Sequence, residues 1–174
     1  MLAAINRISS IDWHKRESVK KGDIAEAIVD RYLVRNGVIP YKPCADGAHP
    51  FDRLAASRDK KSLYIVEIKG KPQRKFYPDT GLNISNYDDY KNIHKRYGIP
   101  VFIAFVDEDH SNIYGGDLFG ELDKYRQIKH CGRTINYPLR QGKIIYFPII
   151  AMREIAKLTQ DECQDLARHR HTSY

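Results

Sequence analysis

The stretch HPFDRLAASRDKKSLYIVEIKGK, residues 49–71, governs how this chain is read. Within it LYIVEIK, Leu63 to Lys69, has the aromatic and β-branched content of a buried strand, yet it sets Glu67 and Lys69 among apolar neighbours. Burying a carboxylate and an ammonium is costly unless each is paired or bound to an ion. Phe51 to Ala56 reads as a second strand, and SRDKKS as the polar connection. In an antiparallel pair joined by one loop, facing residue numbers have a constant sum. With the loop centred between Asp59 and Lys60 that sum is 119, so Asp52 faces Glu67, with Cβ atoms about 4.5–5.5 Å apart. A slip of one residue would send either carboxylate to the other face. Glu67 and Lys69, two apart on one strand, share a face.

Two adjacent carboxylates in a partly buried site need a shared proton or a cation between them. Their oxygens suit a hard divalent ion such as Mg²⁺, with Mn²⁺ as its substitute, and the intervening carbonyl of Ile68 is placed as a further ligand. Such an ion lowers the pKa of bound water and stabilises a phosphate transition state, and Lys69 beside it can orient the attacking water or neutralise developing charge. Upstream, Ser18 to Asn36 reads as a helix stopped by Gly37, with Ala25, Ile28, Val29, Tyr32 and Leu33 on one stripe at 100° per residue. Glu26 falls on the edge of that stripe, where it could complete the metal shell directly or through water.

The remainder alternates. VIPYKP is a short extended piece, CADGAH a turn cluster, and GKPQRKFYPDTG a basic loop. Ser85 and Asp88 have capping-box spacing before a helix that Gly98 stops, with Tyr90, Ile93 and Tyr97 as its apolar side. PVFIAFVDE is an apolar strand, and INYPLRQGKIIYFPII suggests one or two more. Met152 to Arg168 reads as helical, with a Thr159–Glu162 capping box inside it. The order predicts a single domain over residues 1–174, an α/β/α sandwich around a central mixed β-sheet.

The chain has 174 residues and a formal net charge of +7, from 29 basic and 22 acidic side chains. That excess favours polyanionic partners. Lys20, Lys21, Lys71, Arg74, Lys75, Lys91 and Lys95 are the candidate phosphate contacts, with an ordinary solvated basic face as the competing reading. No apolar run approaches the roughly 20 residues of a membrane span, and MLAAINRISSIDWHKRE lacks a signal-peptide core; the expectation is a soluble cytoplasmic protein. Three widely spaced cysteines, Cys44, Cys131 and Cys163, make no disulfide framework, and His130-Cys131 has no CxxC or HxxxH partner for zinc. The apolar stretch IYGGDLFGEL leaves room for a homodimer.

With H-P-F-D at 49–52, E-I-K at 67–69 and a glutamate on the preceding helix in GDIAEAIV, the sequence resembles the PD-(D/E)XK nuclease superfamily over roughly residues 18–107. Phe51 separates the proline from Asp52, a departure at a residue that does no chemistry. The resemblance implies a restriction-endonuclease-like fold, Mg²⁺ dependence and hydrolysis of a DNA phosphodiester. It also implies ligand roles for Asp52 and Glu67, a supporting role for Glu26 and the lysine role for Lys69. With no obvious extra recognition domain, the chain looks more like the compact Holliday-junction-resolvase type than a large restriction enzyme. Segments 112–141 match no part of that pattern and are expected to hold features particular to this chain. The rival reading is a non-catalytic nucleic-acid-binding module on a nuclease-like fold.

Overall fold

A computed structural model describes residues 17–43 and 50–169. Its first helix, α1 (Glu17–Arg35), buries Ala25, Ile28, Val29 and Leu33, the stripe expected from a 3.6-residue period. It ends in a paired-bond stop: the Val38 amide bonds the Leu33 carbonyl at 3.0 Å and the Gly37 amide the Val34 carbonyl at 3.0 Å. Gly37 makes this possible with φ +75°, a conformation that side chains with a Cβ resist.

Strands β1 (Ile39–Tyr41), β2 (Arg53–Ala56) and β3 (Leu63–Gly70) follow, then β4 (Asp79–Asn83), helix α2 (Ile84–Tyr97), β5 (Val101–Asp107) and β6 (Asn112–Asp117). After a 3-10 turn at Leu122–Lys124 come β7 (Gln127–His130), β8 (Arg133–Asn136), β9 (Leu139–Gln141), β10 (Ile144–Pro148), β11 (Arg153–Lys157) and helix α3 (Gln160–Arg168). The main sheet has six strands in the order β1-β2-β3-β5-β6-β11. Among the described residues only the β3–β5 pairing is parallel, so the sheet is mixed. Helix α2 is the crossover between those two strands.

Side chains of β3 and β5 alternate between two cores, as a strand period of two requires. Val66, Ile68, Ala104 and Val106 pack with α1 and with Leu166 of α3. Ile65, Ile103 and Phe105 pack on the other face with Tyr87 and Tyr90 of α2 and with Leu82, Ile145 and Phe147. The latter three belong to a small antiparallel sheet, β4-β10-β9, that shares this layer with α2. The architecture is the expected α/β/α sandwich around a mixed sheet, with the second outer layer half helix and half sheet.

Three local expectations are corrected. Met152 to Lys157 is not helical: residues 153–157 add an edge strand to β6, with Arg153 opposite Gly115 and Lys157 opposite Asn112. The open hydrogen-bonding edge of β6 outweighs the helical preference of those residues, and α3 starts only at its capping box, where the Glu162 amide bonds Thr159 Oγ1 at 3.2 Å. Ser85 does not cap α2. The cap position is Asn83, without a side-chain cap bond, because β4 runs directly into the helix and the Ile84 amide is satisfied by the Lys143 carbonyl at 2.9 Å. Tyr97, assigned to the apolar side of α2, is 61% exposed, while Tyr87 takes a core position instead. The stretch set aside for a homodimer is largely used inside the subunit: Ile113, Leu118 and Leu122 are buried. No described helix is long and apolar enough to cross a membrane.

Candidate active site

The β2–β3 hairpin has the predicted register. Arg53 opposes Val66 and Ala56 opposes Leu63, each pair summing to 119. Asp52 stands one residue beyond the end of β2, and its Oδ2 accepts the Ile68 amide at 2.7 Å. The carboxylate thus takes the place of the ladder bond that a longer β2 would have made. In a strand, the N–H and C=O of one residue face the same neighbour. The Ile68 carbonyl therefore shares the edge at which Asp52 stands.

Glu67 is 2% exposed, on the face of β3 that looks toward α2. Burying it there requires partners, and the fold supplies three. Lys69 Nζ pairs with Oε1, the Tyr90 hydroxyl donates to Oε2, and Asn86 Nδ2 donates to Oε1 at 3.3 Å. Asn86 and Tyr90 sit four apart on α2, one helical turn, so one face of that helix presents both. Sequence reading assigned Tyr90 to the core and overlooked Asn86; that i, i+4 spacing opposite a buried glutamate was the available signal.

Electrostatically the site carries more negative than positive charge. Burial, then the neighbouring Glu67 charge, push Asp52 up from 3.8 to about 7, against the opposing pull of Lys69 and the Ile68 amide. Burial alone would depress Lys69, but the charges of Glu67 and Asp52 outweigh it and hold the ammonium above its ordinary value. Burial and the Glu67 charge raise the Tyr90 phenol far out of the titrating range, so it remains a donor. Two carboxylates facing one lysine form a hard-oxygen donor set short of positive charge. Among the described residues no group of three or more His, Cys, Asp or Glu is arranged to hold a metal. The set fits an ion such as Mg²⁺, which takes one or two carboxylates and keeps several waters.

Glu26 does not join this pair. Arg53, next to Asp52 but on the opposite face of β2, is 2% exposed and reaches α1. Its Nη1 bonds Glu26 Oε2 at 3.0 Å, while Nε and Nη2 grip the two oxygens of Asp30 at 2.8 and 2.7 Å. Lys42 adds a second cation to Glu26 at 2.8 Å. The charge of Glu26 still reaches the site, where it raises Asp52 slightly.

The basic candidates divide. Lys21 is corrected: it is buried and pairs with Glu108 at 2.5 Å, holding α1 to the end of β5. Arg74 is also corrected, since Asp79 takes its Nε and Nη2 at 2.6 and 2.7 Å and Gln141 takes its Nη1 at 2.7 Å. Lys71 lies over the Tyr146 ring at 5.6 Å, and burial with nearby Arg74 and Lys69 lowers its ammonium. Lys91 reaches the Tyr87 hydroxyl at 3.4 Å. Lys20, Lys75 and Lys95 are on the surface, Lys20 paired with Glu17 one turn away. His49 and Cys44 lie outside the described residues, as do the N-terminal stretch 1–16 and the tail 170–174.

No protein-family model matches the chain, and no curated protein sequence matches it. Among solved structures it is similar to Hjc, a Holliday junction resolvase from the archaeal hyperthermophile Archaeoglobus fulgidus. The identity is 12% and the TM-score 0.49, over 77% of this chain and 96% of that one.

Proposed function

We propose that this protein is a divalent-metal-dependent endonuclease that hydrolyses DNA phosphodiester bonds, with branched or recombination DNA as its substrate. One observation carries the reading. The hairpin register brings Asp52 onto the Ile68 amide beside buried Glu67, with Lys69 on the same face. Asp52, Glu67 and the Ile68 carbonyl would hold Mg²⁺ or Mn²⁺. A bound ion of this kind supplies Lewis-acid stabilisation of a phosphate and lowers the pKa of water.

The chain's own groups do the rest. Tyr90 and Asn86 fix the Glu67 carboxylate so that it cannot swing away from Asp52. Lys69 remains protonated and, once released from Glu67, offers N–H donors to a phosphate oxygen or to the attacking water. Glu26, held by Arg53 and Lys42, adds negative potential without contacting the reacting atoms. The choice of DNA over RNA follows the sequence resemblance alone.

The test is nicking of supercoiled plasmid in Mg²⁺, Mn²⁺ or EDTA, with linear, nicked, flap and four-way substrates compared side by side. Metal-dependent cutting that D52N, E67Q and K69M each abolish is expected. One observation favours the rival binding module: both oxygens of Glu67 are already engaged by protein donors. Metal-independent binding with no nicking under any condition would select that reading.

A further inference from the structure

The net charge of +7 has a place in the fold. From Lys124 to Arg153 the chain carries seven lysines and arginines and no aspartate or glutamate, while its other 22 basic residues are matched by all 22 acids. All seven are exposed. Arg153 pairs with Glu121, but among the described residues Lys124, Lys129, Arg133 and Lys143 have no carboxylate partner. None of the seven was among the sequence-derived phosphate contacts.

Four of the seven lie between Lys124 and Arg133, on or just before the β7–β8 hairpin, which pairs with neither larger sheet. Its two-residue turn, Cys131-Gly132, has φ of 47° and 74°, the twist that suits a tight hairpin. An isolated two-stranded ribbon is marginal in water, so its attachment matters. At its base the Tyr137 amide bonds the Arg126 carbonyl at 2.7 Å, and the Tyr137 hydroxyl donates to buried Asp79 at 2.7 Å. Asp79 also grips Arg74, whose guanidinium stacks on Tyr77 at 4.3 Å and on Tyr146 at 3.8 Å. One carboxylate therefore fastens the basic arm to the segment that leaves β3 just after Lys69.

Between arm and segment runs a groove of about 620 Å³. Phe76 and Tyr77 form one wall, and His130, Arg133, Ile135 and Leu139 the other. Phe76 is 75% exposed and Tyr77 39%. We propose that this groove binds a single-stranded segment of nucleic acid, its bases stacked on Phe76 and Tyr77 and its phosphates on the cations of the arm. The uncompensated positive charge selects a polyanion and repels a second copy of the same arm. The aromatic wall selects unstacked bases, because a duplex hides their faces while a single strand offers them. The inference deepens the nuclease reading and rests on it for its purpose: the strand so held would run along the segment that leaves β3 just after Lys69.

The test is fluorescence anisotropy in EDTA with a labelled oligothymidylate of about 20 nucleotides and a duplex of equal length, at several salt concentrations. Wild type binds the single strand more tightly. F76A weakens that binding by about tenfold or more and leaves the duplex unchanged. K129E/R133E weakens both and makes the salt slope shallower by about 1.4 on the single strand, about 0.7 for each lost contact. Wild-type affinity in F76A, absence of single-strand binding, or a preference for duplex overturns the proposal. So does a dimer in sedimentation that F76A converts to monomer. Because no cutting occurs in EDTA, the two readings fail separately. Intact oligonucleotide binding without plasmid nicking removes the nuclease and leaves the groove; the reverse removes only the groove.

Discussion

Replacing Asp52 with asparagine tests whether a negative charge held in this place, part-buried and beside Glu67, is unfavourable when no metal is bound. The asparagine side chain keeps an oxygen to accept the Ile68 amide, a bond of 2.7 Å in the native protein, and loses only the charge. Asp52 is raised from 3.8 to about 7, chiefly by burial and then by Glu67. Folding therefore takes up a proton between those limits. The stability this group contributes is full below about pH 4, declines as pH rises through that window, and is gone above about pH 7. Three units correspond to a maximum of about 4 kcal/mol at 1.36 kcal/mol each. Residual exposure and relaxation of Lys69 halve this to about 2 kcal/mol. Urea unfolding in EDTA should then show D52N more stable than wild type by about 2 kcal/mol at pH 8, or about 4–8 °C in Tm. The two should converge toward pH 4. Mg²⁺ at ten times its dissociation constant should stabilise wild type by about 1.4 kcal/mol and D52N hardly at all. A D52N protein less stable than wild type at pH 8, or a difference independent of pH, would refute an unfavourable charge at Asp52 and with it the case for a cation there.

Three further outcomes rest on named contacts. Y90F removes the hydroxyl that orients Glu67, and should raise the Mg²⁺ concentration for half-maximal cutting about tenfold or more, while circular dichroism shows the fold retained. K21A removes the Lys21–Glu108 ion pair that holds α1 to the end of β5 and should cost about 1–2 kcal/mol in denaturant unfolding, with DNA affinity in EDTA unchanged once folded protein is selected. T159A removes the capping-box acceptor of α3 and should cost about 1 kcal/mol by the same measurement, with cutting unaffected.

Much of the site could be read because its determinants are local. A short polar connection between two strands sets their register, so the index sum of 119 set Asp52 against Glu67 from residue numbers alone. The stop at Gly37, the Thr159–Glu162 box and the shared face of Glu67 and Lys69 likewise depend on residues a few positions apart. What could not be read depends on partners distant in sequence. Lys21 meets Glu108 across 87 residues, and Arg53 captures Glu26 from 27 residues away. Tyr90 looked like core from its helical spacing and is core, yet its hydroxyl ends on Glu67. Residues 153–157 have helical composition and become a strand because β6 offers an open edge.

The order of residues was enough to specify the register that sets Asp52 opposite Glu67 and the face that Glu67 shares with Lys69, since turn length and the two-residue period of a strand are properties of near neighbours. Which charges stay free was settled by the packing of distant layers. It buried Lys21 in an ion pair, turned Glu26 toward Arg53, and left the excess cations on the arm from Lys124 onward. Charge pairing acts through space, and the neighbour that neutralises a side chain is chosen by how those layers meet.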